Sequence, residues 1–271
     1  MFNKIAKSVV FSVSEIRKYF QTGSAMFSWL KRRILDNNIV KIKRDLYSIV
    51  NPILGAPFAD KFMIGSAITD SSYIAYHSAF EFHGLAKKPG KTMYIAGEER
   101  FSPFDFDGIK YTYTRSPFSE GVVNIEKGAD LKVTDLERTL IDCLNNLRLS
   151  GGVEEMINGL EKVSSISEEL LLKYLDRYKT NLLYRKAGFV FSQFRENLGL
   201  SDAFFSRCKE NVDNNVYYFQ KNETVPTKLD KDWNLIVPEI DEMMKKYEDT
   251  EPGEDDGHEN QEPNLDPDSQ E

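Results

Sequence analysis

Between residues 12 and 49 the spacing of apolar side chains changes once, from helical to alternating, and this constrains the fold more than any other feature of the chain. Ser12 and Glu15 stand in the Ser-x-x-Glu order of a capping box, in which each side chain satisfies a backbone N–H left free at a helix start. The helix they open is expected over residues 13–20, with Val13, Ile16 and Phe20 turned inward. Gln21-Thr22-Gly23 breaks it, and Ser24 is placed to cap a second helix. That helix is expected to bury Phe27, Leu30 and Ile34 and to turn Ser24, Ser28, Lys31 and Arg32 outward, before Asn37-Asn38 stops it. From Ile39 the pattern alternates, with Ile39, Lys41 and Lys43 on one side of a strand and Val40 and Ile42 on the other. Arg44-Asp45 makes the tip, and residues 46–49 return as a second strand. Helix, tight turn, helix and basic hairpin is the layout of a winged helix-turn-helix, whose second helix enters the DNA major groove. A small packing unit of two helices and a hairpin, with no nucleic-acid role, has the same layout.

Charge separates these two readings. Residues 1–50 hold ten Lys or Arg against three acids, a net of +7, although the whole chain is −8. Residues 248–271 hold eleven acids, no Lys or Arg and one aliphatic residue, Leu265. A basic head on an acidic chain points to a nucleic-acid module. The tail has almost nothing to bury and is expected to be disordered, as a solubilising end. The remainder is long enough for a body with its own core. The expected organisation is a head at 1–52, a body at 58–247 and a tail at 248–271, joined after Asn51-Pro52 by a linker around Gly55-Ala56-Pro57.

No apolar run approaches the roughly 20 residues that cross a bilayer, so no membrane partner is expected. Lys4 and Lys7 interrupt the only apolar stretch at the N-terminus, which therefore lacks the pattern of a signal peptide. Cys143 and Cys208 sit in apolar helical surroundings without a Cys-x-x-Cys or histidine pattern, and both are expected reduced, in a cytoplasmic protein.

Along the body, short helices are expected at 60–68 and 72–83, with His83 at the second helix's end bonding a carbonyl or carrying charge. Strands are expected at 92–96, 109–115 and 122–127. A helix then buries Leu136, Leu140, Ile141 and Leu144 behind a second capping box, Thr134 with Glu137. Four more helices follow at 153–163, 166–178 (capped by Ser165 with Glu168), 181–198 and 201–211, then a strand at 216–220 and an extended segment at 233–240. The fold class is α+β: a winged head, then a small sheet with a helical set.

Catalytic chemistry finds no support. Gly65-Ser66 before Asp70 opens like a nucleotidyltransferase signature, but Ser71 and Ser72 stand where the paired carboxylate is needed to hold metal. Asp105 and Asp107 have that spacing within SPFDFDG, a stretch read as a loop. His77 and His83, six residues apart on one helix, cannot share a metal as an i, i+4 pair would. Glu137, Arg138 and Asp142 are read as a structural ion-pair network. No enzyme, cofactor or metal site is expected.

Several pieces resemble one family. SVSEIRKYF, FSWLKRRILDNNIVKIKRDLYSI, SYIAYHSAFEFHGL, VTDLERTLIDCL and WNLIVPE, in that order across roughly residues 10–240, are similar to the AbiEi-type antitoxins of abortive-infection type IV toxin–antitoxin systems. The chain departs from that pattern at the wing tip, where a glycine is usual and Arg44-Asp45-Leu46 stands. The resemblance implies a phage-defence antitoxin and autorepressor whose winged head binds inverted repeats in its own promoter DNA. It also implies a body that counteracts a nucleotidyltransferase toxin without a stable complex. On this reading Ser24, Ser28, Trp29 and Arg32 face the major groove, and Lys31, Arg33, Lys41, Lys43 and Arg44 meet phosphates. The protein would act as a monomer or dimer on DNA. The rivals are a stand-alone winged-helix transcription factor whose body binds a ligand or protein, and a protein-interaction module whose basic face meets an acidic partner.

Overall fold

The capping box closes as its residues require: Ser12 N donates to Glu15 Oε2 at 2.5 Å and Glu15 N to Ser12 Oγ at 3.2 Å. The computed structural model describes residues 5, 8–126, 130–220 and 227–239, and its architecture is mixed α+β. In the head, β1 (Val10–Ser12) leads into α1 (Val13–Arg17) and α2 (Gly23–Leu35), then β2 (Ile39–Lys43) and β3 (Leu46–Ile49). The three strands form an antiparallel sheet in the order β1-β3-β2. The spacing of Phe2, Ile5 and Val9 leads one to expect a first helix over residues 1–11, most of which lies outside the described residues. Its described end is β1 instead, because Val10 and Phe11 pair with Ser48 and Tyr47 of the hairpin. The tail at 248–271 also lies outside.

Two expectations about α2 are corrected. Thr22, not Ser24, caps it, accepting from Ala25 N at 3.2 Å. Met26 and Leu30 are its buried residues, whereas Phe27 is 54% exposed and Ile34 40%. The helix carries apolar residues around most of its circumference, so one phase cannot be chosen from spacing alone. Asn37 ends the helix region at φ 54, in the left-handed conformation that asparagine tolerates. At the tip of the β2–β3 hairpin Asp45 takes φ 63, the conformation a glycine would supply there.

The head's sheet has two packed faces. Phe11, Ile39, Tyr47 and Ile49 join Ile16, Met26 and Leu30 of the helices in one cluster. Val10, Ile42 and Leu46 point the other way, into a cluster shared with Ile64, Ile68 and Tyr111 of the body. The expected linker is a tight loop, with a bridge between Val50 and Pro57 and Asn51 N donating to Ala56 O at 2.8 Å. Head and body therefore share a core.

The body opens with α3 (Lys61–Ser66), β4 (Tyr73–Ile74) and α4 (Tyr76–Phe82), followed by β5 (Thr92–Ala96), β6 (Phe104–Phe106), β7 (Ile109–Tyr113), β8 (Val122–Glu126) and β9 (Asp130–Thr134). These strands form one mixed sheet in the order β6-β7-β5-β4-β9-β8. β6 falls in SPFDFDG, which was expected as a loop: Asp107 and Gly108, both at positive φ, make the turn that pairs it with β7. The helix expected from Ser72 starts only at Tyr76, because Tyr73 and Ile74 are taken into the sheet between β5 and β9.

The helical set is α5 (Leu136–Asn145), α6 (Val153–Leu160), α7 (Glu168–Tyr178), α8 (Asn181–Ser192), α9 (Arg195–Leu198) and α10 (Asp202–Lys209). The two expected caps move along the chain. Asp135 caps α5, accepting from Arg138 N at 2.7 Å, because Thr134 is still strand; Ser167, not Ser165, caps α7. Leu140, Ile141 and Leu144 are fully buried as expected, while Leu136, expected with them, is half-buried. A last small sheet, β10-β12-β11, comprises β10 (Tyr217–Tyr218), β11 (Thr227–Asp230) and β12 (Leu235–Pro238). Among the described residues no helix is long and apolar enough to cross a membrane.

Candidate nucleic-acid interface

α2 is held by Met26 and Leu30 against the head's core, and this fixes which side faces out. Ser24, Ser28, Lys31 and Arg32 are all exposed. Ser24 lies beside the cap, with its Oγ 3.2 Å from Thr22 Oγ1. On the hairpin, Lys41 is exposed and the Arg44 side chain is 92% exposed, 3.5 Å from Asp45. Six of the nine expected contact residues thus stand on the outside of the head.

The other three are placed elsewhere, each for a visible reason. Trp29 is half-buried, its ring tilted at 59° against Phe20 with centroids 5.6 Å apart. Arg33 lies on the same flank of the helix, its guanidinium 5.9 Å from the Trp29 ring centroid. Its Nη1 donates to Asn38 Oδ1 at 2.9 Å and lies 3.6 Å from Asp36 Oδ2. This side chain stitches the end of α2 to the start of the hairpin.

Lys43 is displaced by a bulge. The β2–β3 register moves between Lys41↔Tyr47 and Lys43↔Leu46, so two residues of β2 oppose one of β3. Residues paired across strands share a face, and Leu46 faces the body. Lys43 follows it, and its Nζ lies 5.3 Å from the Phe101 ring and 5.4 Å from Phe104. Burial there pushes its pKa below the usual lysine value, with Asp45 opposing.

A cleft of about 730 Å³ lies at the junction of head and body, lined by Ser12 and Glu15 on one side and Ser66, Asp70, Glu126 and Lys132 on the other. Lys132 Nζ donates to the Asp70 carbonyl and Lys132 N to Ser66 Oγ, so the floor is already hydrogen-bonded within the protein.

The residues weighed for catalysis hold structural bonds. His77 Nε2 meets Glu155 Oε1 at 3.2 Å, while His83 Nε2 lies 2.8 Å from the carbonyl of Thr134 in β9 and not from a carbonyl of its own helix. Arg138 is wholly buried: its Nε donates to Asp142 Oδ1 at 2.6 Å, its Nη2 to Ser116 Oγ at 2.8 Å, and its guanidinium lies 3.7 Å from the Phe118 ring centroid. Tyr178 donates to the same Asp142 oxygen at 2.6 Å. Glu137 stands apart, accepting from Ser167 N at 2.7 Å at the start of α7. Cys143 and Cys208 are free and buried.

The chain matches no family model and no curated protein sequence. Among solved structures, the crystal structure of the RV2827C protein from Mycobacterium tuberculosis is similar to it, with a TM-score of 0.66 over 91% of this chain and 92% of that one. At 13% identity the likeness is one of fold alone.

Proposed function

We propose that this chain is a DNA-binding antitoxin that represses its own operon, with the head as a winged helix-turn-helix. The observation that carries the reading is the outer face of α2. Ser24, Ser28, Lys31 and Arg32 are exposed there, on the second helix of a helix–helix–hairpin unit, within a segment of net +7. In the major groove Arg32 can donate twice to guanine O6 and N7, and the two serines can bond base edges. Lys31, Lys41 and Arg44 take phosphates, which set register and supply affinity without reading sequence. Trp29, Arg33 and Lys43 fall outside the interface.

The antitoxin half of the proposal rests on the resemblance of the head, SYIAYHSAFEFHGL, VTDLERTLIDCL and WNLIVPE to AbiEi-type proteins. On this reading the body counteracts a nucleotidyltransferase toxin without a lasting complex, in the cytoplasm, and the head binds promoter repeats. Growth rescue tests it. The toxin-like gene beside this one is expressed with the intact chain or with the Lys31→Ala/Arg32→Ala variant. Rescue by both, with repression lost only in the variant, is the expected result; no rescue by the intact chain removes the antitoxin role.

The cleft between head and body favours one second reading, a ligand-responsive transcription factor. A small molecule seated there would touch both the capping box of α1 and the body. The absence of a toxin-like neighbouring gene would favour this alternative.

A further inference from the structure

An exposed phenylalanine stands among the groove-facing residues of α2. Phe27 was expected in the core, yet 54% of it is exposed, because Met26 and Leu30 occupy the inward positions on either side. At 3.6 residues per turn Ser24, Ser28 and Lys31 run down the middle of the outer face, with Phe27 on one flank and Arg32 on the other. All five lie within the first ten residues of the helix, and base edges are met by the N-terminal part of a recognition helix. Phe27's nearest neighbours on the N-terminal part of this face, Ser24, Ser28 and Lys31, are hydroxyls and a cation, a setting suited to a polyanion, while the exposed Ile34 and Leu35 lie in the last turn of the helix.

We infer that Phe27 is a specificity-determining residue that reads the 5-methyl group of a thymine in the major groove. This rests on the DNA-binding reading above and deepens it. Thymine is the base that presents a methyl group in that groove, and an aromatic side chain is one of the groups that contact it. A phenyl ring offers no hydrogen bond to the other base edges, so its contribution depends on that methyl. Ser24 and Ser28 hydrogen-bond the neighbouring edges and Arg32 takes guanine. Together they read a mixed site containing at least one thymine and one guanine.

The test removes the methyl group and nothing else. A duplex selected by the intact chain from a randomised pool is remade with each thymine in turn replaced by deoxyuridine. Equilibrium binding is then measured for the wild type and for Phe27→Ala. Because Phe27 is mostly outside the core, the variant is expected to melt close to the wild type. At one thymine per half-site, loss of the methyl should weaken wild-type binding about fourfold, the value of one buried methyl group, and leave Phe27→Ala unchanged. If no thymine responds, or if the variant loses as much as the wild type, the inference is overturned. In that case loss of binding in Arg32→Ala would still uphold DNA reading by α2. If the intact chain binds no duplex at all, both fall. If Phe27→Ala changes self-association and leaves every deoxyuridine effect intact, Phe27 belongs to a contact between copies, and the inference is again overturned.

Discussion

The amine of Lys43 lies 5.3 Å from the centre of the Phe101 ring, so a residue of the basic hairpin is committed to the body. A cation over an aromatic face contributes about 0.5–1 kcal/mol in exposed settings, and Phe104 supplies a second ring. Lys43→Ala should therefore lower stability by about 1–2 kcal/mol while changing the salt dependence of DNA binding little. Arg44→Ala, at a side chain 92% exposed, should do the reverse and reduce the salt slope by about one phosphate. Denaturant melts and binding titrations on the two variants check this pair; a Lys43→Ala variant of full stability and reduced slope would place its amine on phosphate after all.

Because Val10, Ile42 and Leu46 share a core with Ile64, Ile68 and Tyr111, head and body should unfold as one unit. In the single-tryptophan variants Trp233→Phe and Trp29→Phe, fluorescence reports on the head and the body separately. Coincident transitions are expected. A fragment lacking the head should bare the body-side residues and bind a hydrophobic dye.

The Arg138–Asp142 pair predicts a characteristic mutational pattern. Both side chains are buried, and removing one partner of such a pair costs about 3–5 kcal/mol, because the other charge is left without compensation. Asp142→Ala should show that loss in denaturant unfolding. Arg138→Met combined with Asp142→Leu should cost less than the two single changes added together. Asp142 Oδ2 has no hydrogen-bond partner among the described residues, and burial raises the carboxyl's pKa despite the guanidinium beside it. The pair is thus held tightly on one side only.

Gly159 offers a packing test far from the head. A Cβ there would fall 2.1 Å from Phe80 Cζ, so α6 approaches α4 as closely as it does only without a side chain. Gly159→Ala should cost about 1–3 kcal/mol through overpacking, measured as a lowered unfolding midpoint. A variant as stable as the wild type would mean that Phe80 can turn aside at no cost.

Local signals in the sequence located much of this fold, and long-range ones did not. The capping box at Ser12 and Glu15, the helix stop at Asn37 and the buried stripe of α5 depend on neighbours within one or two turns, and all are present. Spacing alone does not give the phase of α2, because Met26, Phe27, Trp29, Leu30, Ile34 and Leu35 surround the helix with apolar residues. Only packing against the rest of the head's core, Phe11, Ile16, Ile39, Tyr47 and Ile49, selects Met26 over Phe27. β6 escaped notice because its short edge strand is defined by the Asp107-Gly108 turn and by β7, and not by its own composition. Alternation puts Lys43 on the same side of β2 as Lys41, and the bulge between them breaks that alternation. Spacing and charge anticipate that Lys31, Arg32 and Lys41 are exposed. The exposure of Phe27 needed the packed structure.

The most direct measurement of the central claim is the affinity of the intact chain for its own promoter duplex and for a random duplex, between 50 and 200 mM salt. With three exposed cations, Lys31, Lys41 and Arg44, on phosphates, affinity should fall by about 40-fold over that range. The promoter should stay preferred throughout. Affinity that does not change with salt, or equal affinity for the two duplexes, would contradict the account.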